Sequence, residues 1–209
     1  MNKRNQTVMI QKLENRTLTS PPEEISLKQR FAWKGVKWEQ FKAIQASFRD
    51  IPGIRLSYCQ GVLEIVGTGK LHEAIKSLIA ALLMAYFEIK DIEFFPSGSF
   101  SQIVEGVVEY QADLSYCLGT DKDIPDLSIE VVVTSGSPIK LAKYRLMGVS
   151  EVWFWEDGVW EIYYLRAEGY ERINKSELLP ELDLELLTRC LLLTSPLEAI
   201  KEFRRKMIS

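Results

Sequence analysis

The sequence predicts a mixed α/β chain of the α+β type. Three observations predict it. One long apolar run, 71–86, repeats at helical spacing, while many short β-branched runs are cut by Gly and Pro. Strands and helices do not alternate regularly, so a doubly wound nucleotide fold is not expected. Neither G-x-x-x-x-G-K-[ST] nor G-x-G-x-x-G occurs; Gly67-Thr-Gly69-Lys70 is only a fragment of such a loop.

The elements follow in order. Residues 1–30 are polar, contain Ser20-Pro-Pro22, and are expected to form a flexible arm. Trp38, Phe41, Ile44 and Phe48 define an amphipathic helix that Pro52-Gly53 ends. Residues 54–58 and 61–66 read as a hairpin closed at Cys59-Gln-Gly61. A core helix begins near Lys70, with Leu71, Ile75, Leu78, Leu82 and Ala85 as its stripe and Ile79, Leu83 and Tyr86 widening it. Strands are expected over 92–95, 99–104, 107–116 and 127–133. A helix over 139–147 should stop at Gly148. Residues 152–155 and 159–165 form a hairpin about Glu156-Asp-Gly158, and 170–173 adds a strand. Two helices, 184–193 and 196–207, close the chain. The domain is expected to span 31–195, with 196–209 a C-terminal helix.

Composition narrows the function classes. A chain of 209 residues can bury a full core without staples. Its net charge of −3 carries no general basic excess for gripping nucleic acid nonspecifically. Cys59, Cys117 and Cys190 are scattered, which fits a reducing cytoplasm and excludes a cysteine-built zinc knuckle. His72 is the single histidine, so multi-histidine metal sites are poor candidates; it reads as a surface or capping residue. The N-terminus lacks the apolar core of a signal peptide. No apolar run reaches the roughly 20 residues that span a bilayer, so no membrane partner is expected.

Glu130 is the informative residue. Alternation through 127–133 sends Leu127, Ile129, Val131 and Val133 to one face and Ser128, Glu130 and Val132 to the other. A carboxylate in so apolar a strand needs a cation, a metal or strong donors; the plain alternative is an edge-strand Glu in solvent. Asp113 lies seventeen residues earlier in a strand-like segment. If the two strands are neighbours, the acids share one sheet end and form a hard-oxygen site for Mg²⁺ or Mn²⁺, with the Val131 carbonyl as a further ligand. Lys140 stands just beyond and can support a nucleophile or neutralise developing charge; it also fits an exposed helix lysine, with Lys143 its neighbour and competitor. Glu73 can reach the metal or simply serve the helix N-terminus.

These segments resemble a restriction-endonuclease-like family of otherwise unknown function, expanded in cyanobacteria, within the PD-(D/E)xK nuclease superfamily. The resemblance runs from about Trp38 to Leu193. It rests on Arg55-Leu-Ser-Tyr-Cys-Gln-Gly-Val-Leu-Glu-Ile65, His72-Glu73, Gln111-Ala-Asp113, Pro125-Asp-Leu-Ser-Ile-Glu-Val131, Thr134-Ser135 and Gly148-Val-Ser-Glu-Val-Trp153. It implies a mixed central sheet flanked by helices, a Mg²⁺-dependent endonuclease acting on DNA, and a homodimer. It also implies Asp113 and Glu130 as metal acids and Glu73 as the core-helix acid. Where the parent motif keeps lysine, this chain has Val132, which points to Lys140 from the following helix. An inactive DNA-binding or protein-interaction relic is the rival expectation. The tryptophans Trp153, Trp155 and Trp160 fit core packing first and a dimer surface second.

Overall fold

The computed structural model describes residues 30–67, 69–98, 101–132 and 137–208. Of the expected arm, 1–30, all but Arg30 lies outside the described residues, as does the Thr134-Ser135 segment; Arg30 opens the first strand. Two sheets hold the fold. The first is antiparallel and runs β1-β3-β2-β6-β5, with β1 Arg30–Lys34, β2 Ile54–Cys59, β3 Val62–Gly67, β5 Gln102–Val104 and β6 Val108–Tyr110. The second runs β11-β10-β9-β8-β7-β4, with β4 Phe94–Pro96, β7 Leu114–Leu118, β8 Leu127–Val131, β9 Glu151–Glu156, β10 Val159–Arg166 and β11 Gly169–Ile173.

The second sheet is mixed: β8 and β9 pair in parallel, and its other pairs are antiparallel. The parallel step needs a crossover, and the chain supplies it with the helix α3, Ser137–Met147. Gly148 ends α3 at φ +81°, and its N–H bonds to the Tyr144 carbonyl at 2.9 Å.

Alternation assigns the faces. Leu127, Ile129 and Val131 of β8 join the main core with Trp153 and Trp155 of β9. That core is covered by α2, Lys70–Ile89, and by α4, Leu184–Leu191, and α5, Pro196–Ile208. Val132 turns the other way, into a second cluster with Val108, Tyr110, Ala112, Tyr144 and Phe154. The sheet is thus flanked by helices on both faces. A small third cluster, Phe41, Tyr58 and Leu63, seats α1, Trp38–Ser47, on the outer face of the first sheet.

Two expectations change. Residues 107–116 are not one strand. The chain leaves the first sheet after Tyr110 and enters the second at Leu114, so Asp113 sits in the switch between them. A backbone that must serve two sheets cannot stay in one ladder. The inward face of α2 holds from Ile79 through Leu82, Leu83, Ala85 and Tyr86, but at its start Leu71 is 66% exposed and His72 faces inward instead. The tryptophans of β9 are core residues, both under 5% exposed.

Candidate active site

The register of the antiparallel pair β7–β8 sets Leu114 across from Ile129. Continued by one residue, it sets Asp113 across from Glu130 on a shared face. The Val131 N–H donates to Asp113 Oδ2 at 2.8 Å, fixing the carboxylate at this sheet end. Both acids are buried, at 4% and 2% exposure. Two carboxylates so placed repel each other, and surrounding donors offset that cost.

Asp113 is held from two directions. His72, in the first turn of α2, places Nε2 2.9 Å from Oδ2. Arg55, on β2, donates through Nη1 to Oδ1. The other ring nitrogen of His72 lies 3.2 Å from Glu73 Oε1. Carboxylates only accept, so the ring donates to Asp113 through Nε2–H, and the protonated ring would donate to Glu73 as well. Burial alone lowers the His72 pKa, but the hydrogen bond and charge of Asp113 and the Glu73 contact outweigh it and raise it. Burial likewise opposes ionisation of Asp113. The His72 hydrogen bond and charge, with Arg55 and Lys140, overcome it and hold the carboxyl at about 2.

Glu130 is held from α3 and β6. Tyr110 donates to Oε1 at 2.8 Å, and Tyr144 donates to the same oxygen. Burial, then the charge of Glu130, pushes both phenols well above their ordinary range, so they remain donors. Lys140 Nζ sits 2.5 Å from Oε2. Helical spacing explains the set: Lys140, Lys143 and Tyr144 project from one side of α3. Lys143 does not compete for Glu130. It is buried, pairs with Glu64, donates to Ser57 Oγ at 2.9 Å, and lies 4.6 Å from the Tyr110 ring centroid.

Glu73 stands at the rim with its side chain 43% exposed, paired to Lys76 and 3.6 Å from Arg55. Burial raises its pKa, but Lys76, His72 and Arg55 together lower it. The structure therefore brings Asp113, Glu130 and Lys140 into one cluster, with Glu73 reaching it through His72 and Arg55. Val131 enters through its N–H. His72 is corrected from a surface or capping residue to a buried partner of Asp113.

Comparison with known proteins now places the chain. The family profile described as "Uma2: Putative restriction endonuclease" matches residues 38–194. The chain belongs to the Uma2 family. Among solved structures it is similar to one from Anabaena variabilis described as "a putative nuclease belonging to DUF820". The two share 13% identity with a TM-score of 0.44, covering 80% of this chain and 99% of that one. No curated protein matches.

Sequence reasoning missed Arg55, His72, Tyr110 and Tyr144 in this Uma2 site. For His72 a signal existed: it lies seven residues before Ile79, two helical turns along the same buried face. Arg55 lies on the same face of β2 as Ser57, two residues on, which meets Lys143. For Tyr110 nothing local distinguishes a core tyrosine from a carboxylate donor.

Asp113 and Glu130 are hard oxygen donors of the class that divalent ions take. Among the described residues no cluster of three or more His, Cys, Asp or Glu side chains forms a ready cage. Two carboxylates at a sheet end, with the remaining positions left to water and substrate phosphate, are the usual demand of Mg²⁺. Among the described residues no helix is long and apolar enough to cross a membrane.

Proposed function

We propose that this Uma2-family chain is a Mg²⁺- or Mn²⁺-dependent endonuclease that hydrolyses DNA phosphodiester bonds. The observation that carries the reading is the placement of Asp113 beside Glu130 at one sheet end, with Lys140 against Glu130. Asp113 and Glu130 would hold the ion, with the Val131 carbonyl as a further ligand. The ion, when bound, supplies Lewis acidity toward a phosphate oxygen and makes a water more acidic.

The protein's own residues do the rest. The Val131 N–H and His72 orient Asp113, and Tyr110 and Tyr144 orient Glu130, so neither acid pays to reorganise on ion binding. Lys140, 23% exposed, stands where it can fix an attacking water or neutralise charge on the phosphoryl group. Glu73 supports the site through its contacts with His72 and Arg55. The free cysteines accord with a cytoplasmic setting. The homodimer implied by resemblance belongs to this proposal, though not through Trp153 and Trp155, which are core.

Two observations favour the rival reading of an inactive DNA-binding or interaction protein. Val132, at the parent lysine position, is packed in an apolar cluster, and both acids already have cation partners. Nicking of supercoiled plasmid separates the two. The proposal expects Mn²⁺-dependent nicking that Glu130→Ala abolishes. Nicking that survives Glu130→Ala, or none by the wild type with either ion, would overturn it.

A further inference from the structure

Each carboxylate of the pair has two unlike oxygens. Asp113 Oδ2 accepts from the Val131 N–H and from His72, and Glu130 Oε1 accepts from two phenols. A carboxylate oxygen has about two lone-pair sites, so these oxygens are full. Their donors are a strand amide, a buried ring in a helical turn, and two buried tyrosines, all rigidly mounted. Asp113 Oδ1 and Glu130 Oε2 differ. Among the described residues each meets one partner, a cation on a long side chain that is 23% exposed: Arg55 and Lys140. One oxygen of each acid is held by buried donors, and the other meets, among the described residues, a single partly exposed cation.

From this asymmetry we infer that Arg55 is an exchanging cation: it covers Asp113 Oδ1 when no divalent ion is present and clamps a substrate phosphate when one is. The inference rests on the metal-dependent reading above. A second cation at Oδ1 repels the Arg55 guanidinium. Its planar fork matches the two nonbridging oxygens of a phosphodiester as well as it matches a carboxylate. Glu73, 3.6 Å from Nη2, is an anion at the rim that keeps the released guanidinium near the mouth. Lys140 is a point charge without a fork, so it does not substitute for Arg55 in this clamp.

The test uses the full chain and reads two bindings of opposite sign. Mn²⁺ is titrated by calorimetry without DNA, and a short DNA duplex is titrated by fluorescence anisotropy in Ca²⁺. Arg55→Met is expected to bind Mn²⁺ at least ~5-fold more tightly, because the competing cation is gone, and to bind the duplex ~10-fold more weakly. Arg55→Lys keeps the charge but not the fork. It should bind Mn²⁺ like the wild type yet remain defective toward the duplex. Far-ultraviolet circular dichroism checks that both variants fold; should Arg55→Met not fold, Arg55→Lys alone decides by its duplex affinity. Unchanged or weaker Mn²⁺ binding by folded Arg55→Met would show Arg55 to be only a brace for Asp113. Wild-type duplex affinity in Arg55→Lys overturns the clamp. Wild-type protein that binds no Mn²⁺ overturns the nuclease reading itself, and the inference with it.

Discussion

At the scale of single residues, the site is a matter of which oxygen each donor reaches. The sequence makes Glu130 legible, because a carboxylate in an apolar strand is costly without partners; Asp113 and Lys140 stand out chiefly through the family resemblance, since an acid and a lysine at such spacings are common by chance. It leaves Arg55, His72 and the two tyrosines unread, since their roles exist only once distant elements meet. Two predictions belong here. The Asp113 carboxyl, held at about 2, has a lower pKa folded than unfolded. Its contribution is therefore present above about pH 4 and is lost as pH falls toward 2, on the order of 2 kcal/mol. His72 has the opposite sign, with its folded pKa raised. Its contribution is complete below about pH 6.5, its unfolded value, and fades as pH rises through the higher folded value. Urea unfolding across pH should show both limbs, and His72→Gln should flatten the alkaline one. Second, Tyr144→Phe removes one anchor from Glu130 Oε1. Mn²⁺ affinity measured by calorimetry should drop by roughly 10-fold, within the range found for partners behind metal ligands; unchanged affinity would mean that the phenol does not orient Glu130.

Among elements, α3 does most of the joining. One side of it sends Lys140 and Tyr144 to the second sheet's carboxylate and Lys143 to Glu64 in the first sheet. Its existence and its glycine stop are readable from spacing, as is the hairpin at Gln60-Gly61; the parallel pairing of β8 with β9 is not. The sheet switch at 111–113 is not readable, because apolar alternation continues through it. Lys143 and Glu64 are both nearly inaccessible, so removing one leaves the other charged and buried. Lys143→Met should cost about 3–5 kcal/mol in chemical denaturation. Replacing Glu64 by Leu as well should restore much of it, because the penalty lies in burying the carboxylate without its ammonium; a double variant no better than the single would place the cost in packing instead.

For the whole molecule, the mixed sheet between helical layers accounts for where the acids sit. The α+β class was legible from apolar periods. The division of the strands into two sheets was not, since pairing between segments far apart in the chain leaves little local trace. The two sheets meet around α3, and the candidate centre lies at the point where the chain passes from one to the other. That position depends on long-range contacts, so variants that loosen α3 should weaken the site and the fold together.

Calorimetric titration of Mn²⁺ into the wild type and into Asp113→Ala tests the central claim most directly. The account predicts a saturable isotherm in the wild type that disappears in Asp113→Ala while the variant stays folded. An isotherm that persists unchanged in Asp113→Ala would contradict it.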